Sequence, residues 1–335
     1  MKPLVSFGLI TDLQYGDIPD RQNYQKTAWR RYRNALKCIR EAVSHWQMRS
    51  PKLSFVIQVG DIIDGFNATS PVANASAKAL ELILDEFNRL PTRTVHVLGN
   101  HELYNFSRDE LARSQLHPSY FFRTRNTSIS QGAKTTKVGG DPEKFYFSFS
   151  PHAGFRIVVL DSLDVSILGR DTTSSRYKEA YKILTSHNRN TNLESSAGLQ
   201  GREKRFVSYN GGLGKEQLEW LKDTLSDAEK HNQRVLIFSH IPICPELDER
   251  FDSVWNYSEV LDLIWGFKCV VACLHGHEHE DAHFVDHRGI HHCVYAAVVE
   301  APSGSNAFAT IHLSEDGITV EGQGTIASRV LKFNN

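Results

Sequence analysis

Five short stretches of this chain end an apolar run with side chains able to ligate a cation or move a proton. In chain order they are Asp12-Leu13-Gln14, Gly60-Asp61-Ile62-Ile63-Asp64, Gly99-Asn100-His101-Glu102, Ser239-His240 and Gly276-His277-Glu278-His279. One Asp or His in such a place means little. Five in succession, all supplying oxygen or imidazole, point to a common polar centre of the kind that binds divalent cations. Two cations roughly 3.5–4 Å apart can hold a hydroxide for attack and neutralise phosphoryl oxygens as charge builds. A shared carboxylate is the simplest way to keep two dications so close. Two histidines separated by one residue, as His277 and His279 are, diverge enough at a strand-to-turn boundary to serve one metal each. Each must be neutral to ligate, so another group has to fix its tautomer.

Such a centre needs strands to deliver its loops. Leu4 to Ile10 reads as a strand and Thr27 to Met48 as a helix; Leu53 to Val59 and Thr94 to Leu98 are further strands, with a helix from about Ala75 to Leu90 between them. An amphipathic helix over Lys215 to His231 leads into a strand at Arg234 to Phe238, and Cys269 to Leu274 is apolar enough to be a strand buried on both faces. After His279 the helices stop, and Ala282 to Asp286, Ile290 to Val298, Ala307 to Leu313 and Ile318 to Gly322 read as consecutive strands with turns such as Asp316-Gly317. The polar blocks sit at the C-terminal ends of strands, where open α/β sheets place their ligands. This order implies a layered α/β domain built around two sheets. Two weakly apolar segments interrupt it, at about 123–141 and 171–205, the second with a helical patch over Tyr177 to Leu184. Long insertions at strand ends shape a binding site or lie on the surface. The first segment fits either description equally, and the second is expected at the site. Strands on both sides of each insertion belong to one sheet system, so residues 1–335 are read as a single domain.

Together the five blocks resemble the signature of the calcineurin-like metallophosphoesterase superfamily: D-x-H, G-D-x-x-D, G-N-H-[DE], a later His, and G-H-x-H. They span Asp12 to His279, more than three quarters of the chain. The resemblance implies a four-layer sandwich of two mixed β-sheets flanked by helices. It also implies roles: Asp12, Gln14 and His279 at a first metal, Asn100, His240 and His277 at a second, and Asp61 bridging both. His101 would sit beside the phosphoryl group, stabilising charge or protonating the leaving oxygen, with Asp64 orienting its ring. Gln14 stands where the superfamily usually has His. A carboxamide oxygen is a harder donor than imidazole and shifts the first site from zinc or iron towards Mn²⁺, with Mg²⁺ as the alternative.

The Gln variant narrows the resemblance. Asp12-Leu13-Gln14-Tyr15-Gly16-Asp17, Gly60 to Ala68, Gly99 to Arg108, Tyr209-Asn210-Gly211-Gly212 and Trp255-Asn256-Tyr257 are similar to the manganese-dependent ADP-ribose/CDP-alcohol diphosphatases. That family cleaves ADP-ribose to AMP and ribose 5-phosphate, and CDP-alcohols such as CDP-choline to CMP and a phospho-alcohol. Substrate contacts are expected from Tyr24 stacking on a base, from Asn67, Asn105 and Arg108 near phosphate or ribose, and from Leu193 in the nucleoside pocket. The competing readings are core packing for Tyr24 and a helix-surface charge for Arg108. Tyr209-Asn210-Gly211-Gly212 offers backbone amides for phosphate, although Gly-Gly is first of all a turn. His275, His283, His287, His291 and His292 read as strand and surface histidines, with His275 a candidate to stand behind the ligands. Cys269 and Cys273 read as core thiols.

With 38 basic and 39 acidic residues the chain has no global field for nucleic acid or membrane, so an anionic substrate must be met locally. No stretch approaches the roughly 20 apolar residues that span a bilayer, and Met1 to Phe7 lacks the pattern of a signal peptide. Five cysteines, mostly in apolar runs, suit a reducing compartment, and the cytoplasm is the expected location. The expected partners are small nucleoside-diphosphate-linked molecules, met by a monomer. Rival functions are a cyclic-nucleotide phosphodiesterase or phosphomonoesterase on the same metal machinery. A non-catalytic, retromer-like scaffold is the remaining rival, and it would be expected to have lost ligands that are all present here.

Overall fold

The computed structural model describes residues 3–49, 52–123, 143–247 and 252–333. Its strands, in chain order, are β1 (Val5–Ile10), β2 (Arg21–Gln22), β3 (Trp29–Arg30), β4 (Phe55–Gln58), β5 (Thr94–His96), β6 (Phe147–His152), β7 (Phe155–Val159), β8 (Arg234–Phe238), β9 (Val270–His275), β10 (Ala282–Val285), β11 (His291–Val294), β12 (Ala307–Leu313), β13 (Gly317–Gly324) and β14 (Arg329–Lys332). The helices are α1 (Asn34–Gln47), α2 (Ala75–Asn88), α3 (Asn100–Asn105), α4 (Arg108–Ala112), α5 (Pro118–Arg123), α6 (Ser175–His187), α7 (Lys215–Lys230) and α8 (Tyr257–Trp265).

Two six-stranded mixed sheets form the centre, in the orders β14-β13-β12-β1-β4-β5 and β10-β11-β9-β8-β7-β6. β1, β4 and β5 run parallel, as do β7, β8, β9 and β11, while the outer strands pair antiparallel. Strands covered on both faces read as unbroken apolar runs, and every residue of β1 is buried. The sheets meet through aromatic contacts: Phe7 against Phe238 at 6.1 Å, and Phe55 against Phe149 at 5.2 Å between ring centroids. Each such buried ring is worth about 1.5–3 kcal/mol over exposure.

Helices close the outer faces. α1 turns Ala35, Cys38, Ile39, Ala42, Val43 and Trp46 inward at helical spacing, and Trp46 packs edge-on against Phe308 of β12. On the other side α7 buries Leu218, Leu221, Leu225 and Ala228, and the Cys269 thiol points to the Leu225 carbonyl. The two sheets with their flanking helices are the four-layer sandwich expected. All five cysteines are buried and free. Among the described residues no helix is long and apolar enough to cross a membrane.

Three departures from the sequence reading are physical. The helix expected from Thr27 begins only at Asn34, because Arg21–Gln22 and Trp29–Arg30 pair as a small hairpin and the Arg31 N–H is held by the Val299 carbonyl at 2.7 Å. The strand expected over Ile290 to Val298 ends at Val294. Its continuation bonds alternately to separate loops, with Tyr295 N–H on His275 O, Ala297 N–H on His279 O and Val299 N–H on Asp12 O. Residues 171–205 fold into α6 and a loop pinned by Asn188, whose Nδ2 donates to the carbonyls of Leu193, Ser195 and Phe206. Of the expected insertion at 123–141, everything beyond Arg123 lies outside the described residues.

Candidate metal centre

The loops after β1, β4, β5, β8 and β9 converge at one end of the sandwich, and their backbone is unusual there. Among the described residues eight non-glycine positions have positive φ, and five of them are Asp12, Gln14, Asp61, His277 and His279. Non-glycine residues reach that region at a cost of order 1–3 kcal/mol and hold it only where surrounding structure imposes it. Glycines beside them give the room. A Cβ on Gly60, itself at φ +98°, would stand 2.3 Å from His240 Nδ1, and one on Gly276 would stand 2.5 Å from Asp12 Oδ2. The G-D and G-H pairs of the sequence are therefore close-packing requirements as well as turns.

Around this cradle the side chains fall into two groups sharing one atom. In the first, Gln14 Nε2 lies 3.1 Å from both Asp61 Oδ2 and His279 Nε2, and His279 Nε2 lies 3.4 Å from Asp12 Oδ1. In the second, His240 Nε2 lies 3.1 Å from Asn100 Oδ1, 3.2 Å from His277 Nδ1 and 3.4 Å from Asp61 Oδ2. Asp61 Oδ2 therefore stands between the groups. Its partner Oδ1 accepts from the His101 N–H at 2.8 Å, which fixes the carboxylate. Asp12 is held likewise, Oδ2 accepting from the Thr11 hydroxyl at 2.6 Å and the His277 N–H at 3.1 Å.

Each histidine has its tautomer set from behind. His240 Nδ1 donates to the Val59 carbonyl at 2.8 Å, His279 Nδ1 to Glu300 Oε1 at 2.8 Å, and His277 Nε2 to Asn210 Oδ1 at 2.9 Å. Those partners can only accept, so in the neutral rings the lone pairs sit on His240 Nε2, His279 Nε2 and His277 Nδ1, the three nitrogens facing the groups just described. Asn210 is itself oriented, since its Nδ2 donates to Arg205 O and Asp252 Oδ1.

This arrangement fits a pair of divalent ions. Asp12 Oδ1 and Gln14 Oε1 are buried without a hydrogen-bond partner. The two ends of a carboxamide are isosteric, so turning Gln14 over brings Oε1 to the point shared with Asp61 and His279. Three acceptors converging there repel one another unless a cation lies between them. Asp12, Asp61 and His240 also offer ligand atoms all within 4.8 Å of one another. Electrostatics agree. Burial would raise Asp61, but His240 and His101 hold it well below the ordinary carboxylate range. Burial opposes a charged ring at His240, yet the Asp61 carboxylate holds that group up at about 10. The same carboxylate charge that favours a proton on His240 would draw a cation into its place.

His101 stands just outside the ligand groups. Its Nδ1 accepts from the Gly65 N–H at 2.9 Å and lies 3.4 Å from Asp64 Oδ2, while Nε2 faces Asp61 Oδ2 at 3.8 Å. A ring nitrogen that accepts from Gly65 cannot also donate to Asp64. The backbone N–H therefore sets the ring, with the Nε2 proton towards the metal groups, and Asp64 acts at a distance. Asp64 also caps the following turn by accepting from the Phe66 N–H at 2.8 Å.

A cavity of about 570 Å³ opens over the centre, lined in part by Gln14, Asp61, Asn100, His101, His277 and His279. The expected substrate contacts divide. Tyr24 is at its mouth and 97% exposed, which rules out core packing. Arg108 is a correction, being buried and bidentate on Asp161 at 2.7 and 3.2 Å, away from the cavity lining. Asn67 and Asn105 also fall outside the lining: Asn67 Nδ2 donates to the carbonyls of Tyr15 and Asp64, and Asn105 Nδ2 to those of Asp64 and His101. Asn67 thus ties the Asp64 loop to Tyr15 after β1, and Asn105 ties it to the start of α3. Leu193 packs into a small cluster with Ala180, Leu184, Phe206 and Trp255, and its neighbours Asn192 and Glu194 to Ala197 line the cavity instead. Gly212 is no turn residue: its N–H and C=O pair with Val165 in an isolated antiparallel bridge, so that amide is already taken.

Sequence reasoning missed four residues of consequence. Glu102 accepts from the N–H groups of Gly99, Asp61 and Ile62 at 2.8, 3.0 and 2.7 Å, stapling two metal-facing loops together. Burial, then the Asp61 charge, pushes its carboxyl up to about 7. Glu300 and Asn210 stand behind His279 and His277, and Arg30 lines the cavity. Glu102 and Asn210 lie within motifs of the sequence, which did not reveal these roles. Glu300 and Arg30 carry no local pattern that marks them.

The profile of the calcineurin-like phosphoesterases matches residues 5–281. Over 336 residues the chain is 39% identical to the manganese-dependent ADP-ribose/CDP-alcohol diphosphatase of Xenopus laevis, covering 100% of this chain and 92% of that protein. The Homo sapiens protein of the same name is 38% identical over 332 residues, with 98% and 93% covered, and that of Arabidopsis thaliana 35% over 327 residues, with 98% and 96%. A crystal structure of a dimetal phosphatase from Danio rerio is similar with a TM-score of 0.89 at 35% identity, covering 99% of this chain and 100% of that one.

Proposed function

This chain belongs to the calcineurin-like phosphoesterase family, and from that premise we propose that it is a manganese-dependent hydrolase of the diphosphate in ADP-ribose and CDP-alcohols. The observation that carries this reading is the position of Asp61 Oδ2 between two sets of buried donors. Asp12, Gln14, Asp61 and His279 would hold one ion, and Asp61, Asn100, His240 and His277 the other. Bound there, the ions supply positive charge for phosphoryl oxygens and acidify water at neutral pH. The oxygen donor Gln14 favours Mn²⁺ or Mg²⁺ over zinc.

The chain's own residues do the rest. His101 Nε2 is placed to hold a proton near the phosphoryl group and give it to the leaving oxygen. Arg30 is the one Arg or Lys among the described lining residues, so it meets the diphosphate charge. Tyr24, exposed at the mouth, suits a base, and the loop at Asn192 to Ala197 supplies further polar lining for the ribose or alcohol. Products would be AMP with ribose 5-phosphate, or CMP with phosphocholine. We read residues 1–335 as one functional unit, acting in the cytoplasm as a monomer, which size-exclusion chromatography with light scattering tests.

The deciding experiment compares, with Mn²⁺, AMP release from ADP-ribose and CMP release from CDP-choline against hydrolysis of cyclic AMP and p-nitrophenyl phosphate. Preference for the two diphosphates is expected. Predominant activity on either of the last two compounds would replace the assignment with a phosphodiesterase or phosphomonoesterase.

A further inference from the structure

Arg30 and His279 meet on a single oxygen. Glu300 Oε1 accepts from His279 Nδ1 at 2.8 Å and from Arg30 Nε at 3.2 Å. Glu300 is 13% exposed, His279 7% and Arg30 26%, so the junction is largely shielded from water. Its ends lead to different places. His279 Nε2 faces Asp12 and Gln14, whereas Arg30 lines the cavity. The backbone beneath is braced, with Val299 N–H on Asp12 O at 3.0 Å and Arg31 N–H on Val299 O at 2.7 Å. Sequence neighbours of Arg30 and Glu300 are thus bonded to each other and to the first ligand loop.

We propose that Glu300 is a positioning residue that couples the diphosphate-facing Arg30 to the first cation site. One carboxylate oxygen divides its negative charge between two donors. When an anionic substrate draws the Arg30 guanidinium towards itself, Glu300 is left a stronger acceptor for His279 Nδ1–H, and the ring becomes a better donor at Nε2. Ligation at Nε2 acts in reverse, polarising Nδ1–H towards Glu300 and loosening the hold on Arg30. Each event favours the other, as linkage requires.

The inference rests on the metal-dependent reading above, so its test separates the two. Metal-stripped full-length chain is titrated with Mn²⁺ alone, followed by the electron paramagnetic resonance signal of free Mn²⁺. Glu300→Gln is expected to weaken one of two sites by about 10–100-fold and leave the other unchanged. At saturating Mn²⁺, kcat should recover and KM for ADP-ribose should fall, because Arg30 is no longer held back from the diphosphate. Arg30→Ala should raise KM and tighten Mn²⁺ at that same site, because Glu300 then serves His279 alone, and the double variant should show no higher KM than Arg30→Ala. Glu300→Asp keeps the charge and should restore much of the first-site affinity, which a general packing defect would not allow. It also reports if the Gln variant does not fold. Titration of Glu300→Gln indistinguishable from wild type, or KM effects that multiply in the double variant, would overturn the coupling alone. A wild-type chain that takes up no Mn²⁺ would overturn the dinuclear reading and the coupling with it.

Discussion

Replacing Arg108 with Met separates a structural role from a substrate role at a position where the sequence permits both. The guanidinium is 2% exposed; Nη1 and Nη2 bind Asp161 at 2.7 and 3.2 Å, and Nη2 also reaches the Leu163 carbonyl at 2.5 Å. Methionine fills most of the volume but makes none of these bonds. Asp161, 1% exposed, would then keep the Leu163 N–H at 3.0 Å but lose the ion-pair partner in direct contact with it. Breaking a buried pair by removing one partner costs about 3–5 kcal/mol. Hydrophobic replacement of both partners is often neutral or better, so Arg108→Met/Asp161→Leu should recover a large share. Urea denaturation of the metal-free protein measures the loss, and Mn²⁺-saturated kinetics on ADP-ribose, at a temperature where the variant remains folded, should give KM within about twofold of wild type, since surface-independent packing changes leave uniform binding intact. A tenfold rise in KM with an unchanged denaturation midpoint would refute the placement of this residue outside the site.

Glu102→Gln loses a charge-assisted acceptor for one of three backbone N–H groups, about 1.5–3 kcal/mol; it should lower both stability and Mn²⁺ affinity, and a variant equal to wild type in calorimetry and Mn²⁺ titration would end that account. Asp61→Ala should abolish nearly all activity and both bound ions. His101→Ala should retain both ions and lower turnover by roughly 10²–10⁴-fold, and metal analysis showing ions lost from it would make it a ligand. Gln14→His should move activity from Mn²⁺ towards zinc or iron, read by metal-reconstitution assays; an unchanged preference contradicts the donor-hardness argument. Neighbouring carboxylates raise His240 to about 10 and His279 in the same direction, against burial. Metal uptake must therefore expel protons, and Mn²⁺ affinity should climb with pH through the neutral range, with proton release visible by calorimetry in buffers of different ionisation enthalpy. For the metal-free fold the sign is opposite. The gain from a raised His240 is complete below its ordinary 6.5 and fades as pH rises towards about 10.

The arrangement of strands was legible because burial on both faces leaves long apolar runs, and because each run stops at a polar block. Elements held by local periodicity, such as α7 and β12, have almost the expected bounds. Those decided by distant partners do not. The stretch before Asn34 has helical spacing, yet Val299 and the Trp29–Arg30 pairing draw it into a hairpin. Tyr295 to Val299 has strand composition but serves two loops in turn, so no ladder forms.

Types and spacing alone determined that Asp12, Gln14, Asp61, Asn100, His240, His277 and His279 belong to one centre, because so many cation donors at strand ends have no other common use. Only the tertiary structure decided what stands around them. Arg108 and Arg30 are both arginines near a polar block; one is sealed against Asp161 and the other faces the cavity, a difference set by chain segments 53 and 270 residues away. Glu300 has no signature of its own because a hydrogen bond behind a ligand depends on where the chain returns. A ligand's chemistry is written in its side chain, whereas the tautomer, charge and reach that make it work come from whatever is packed against it.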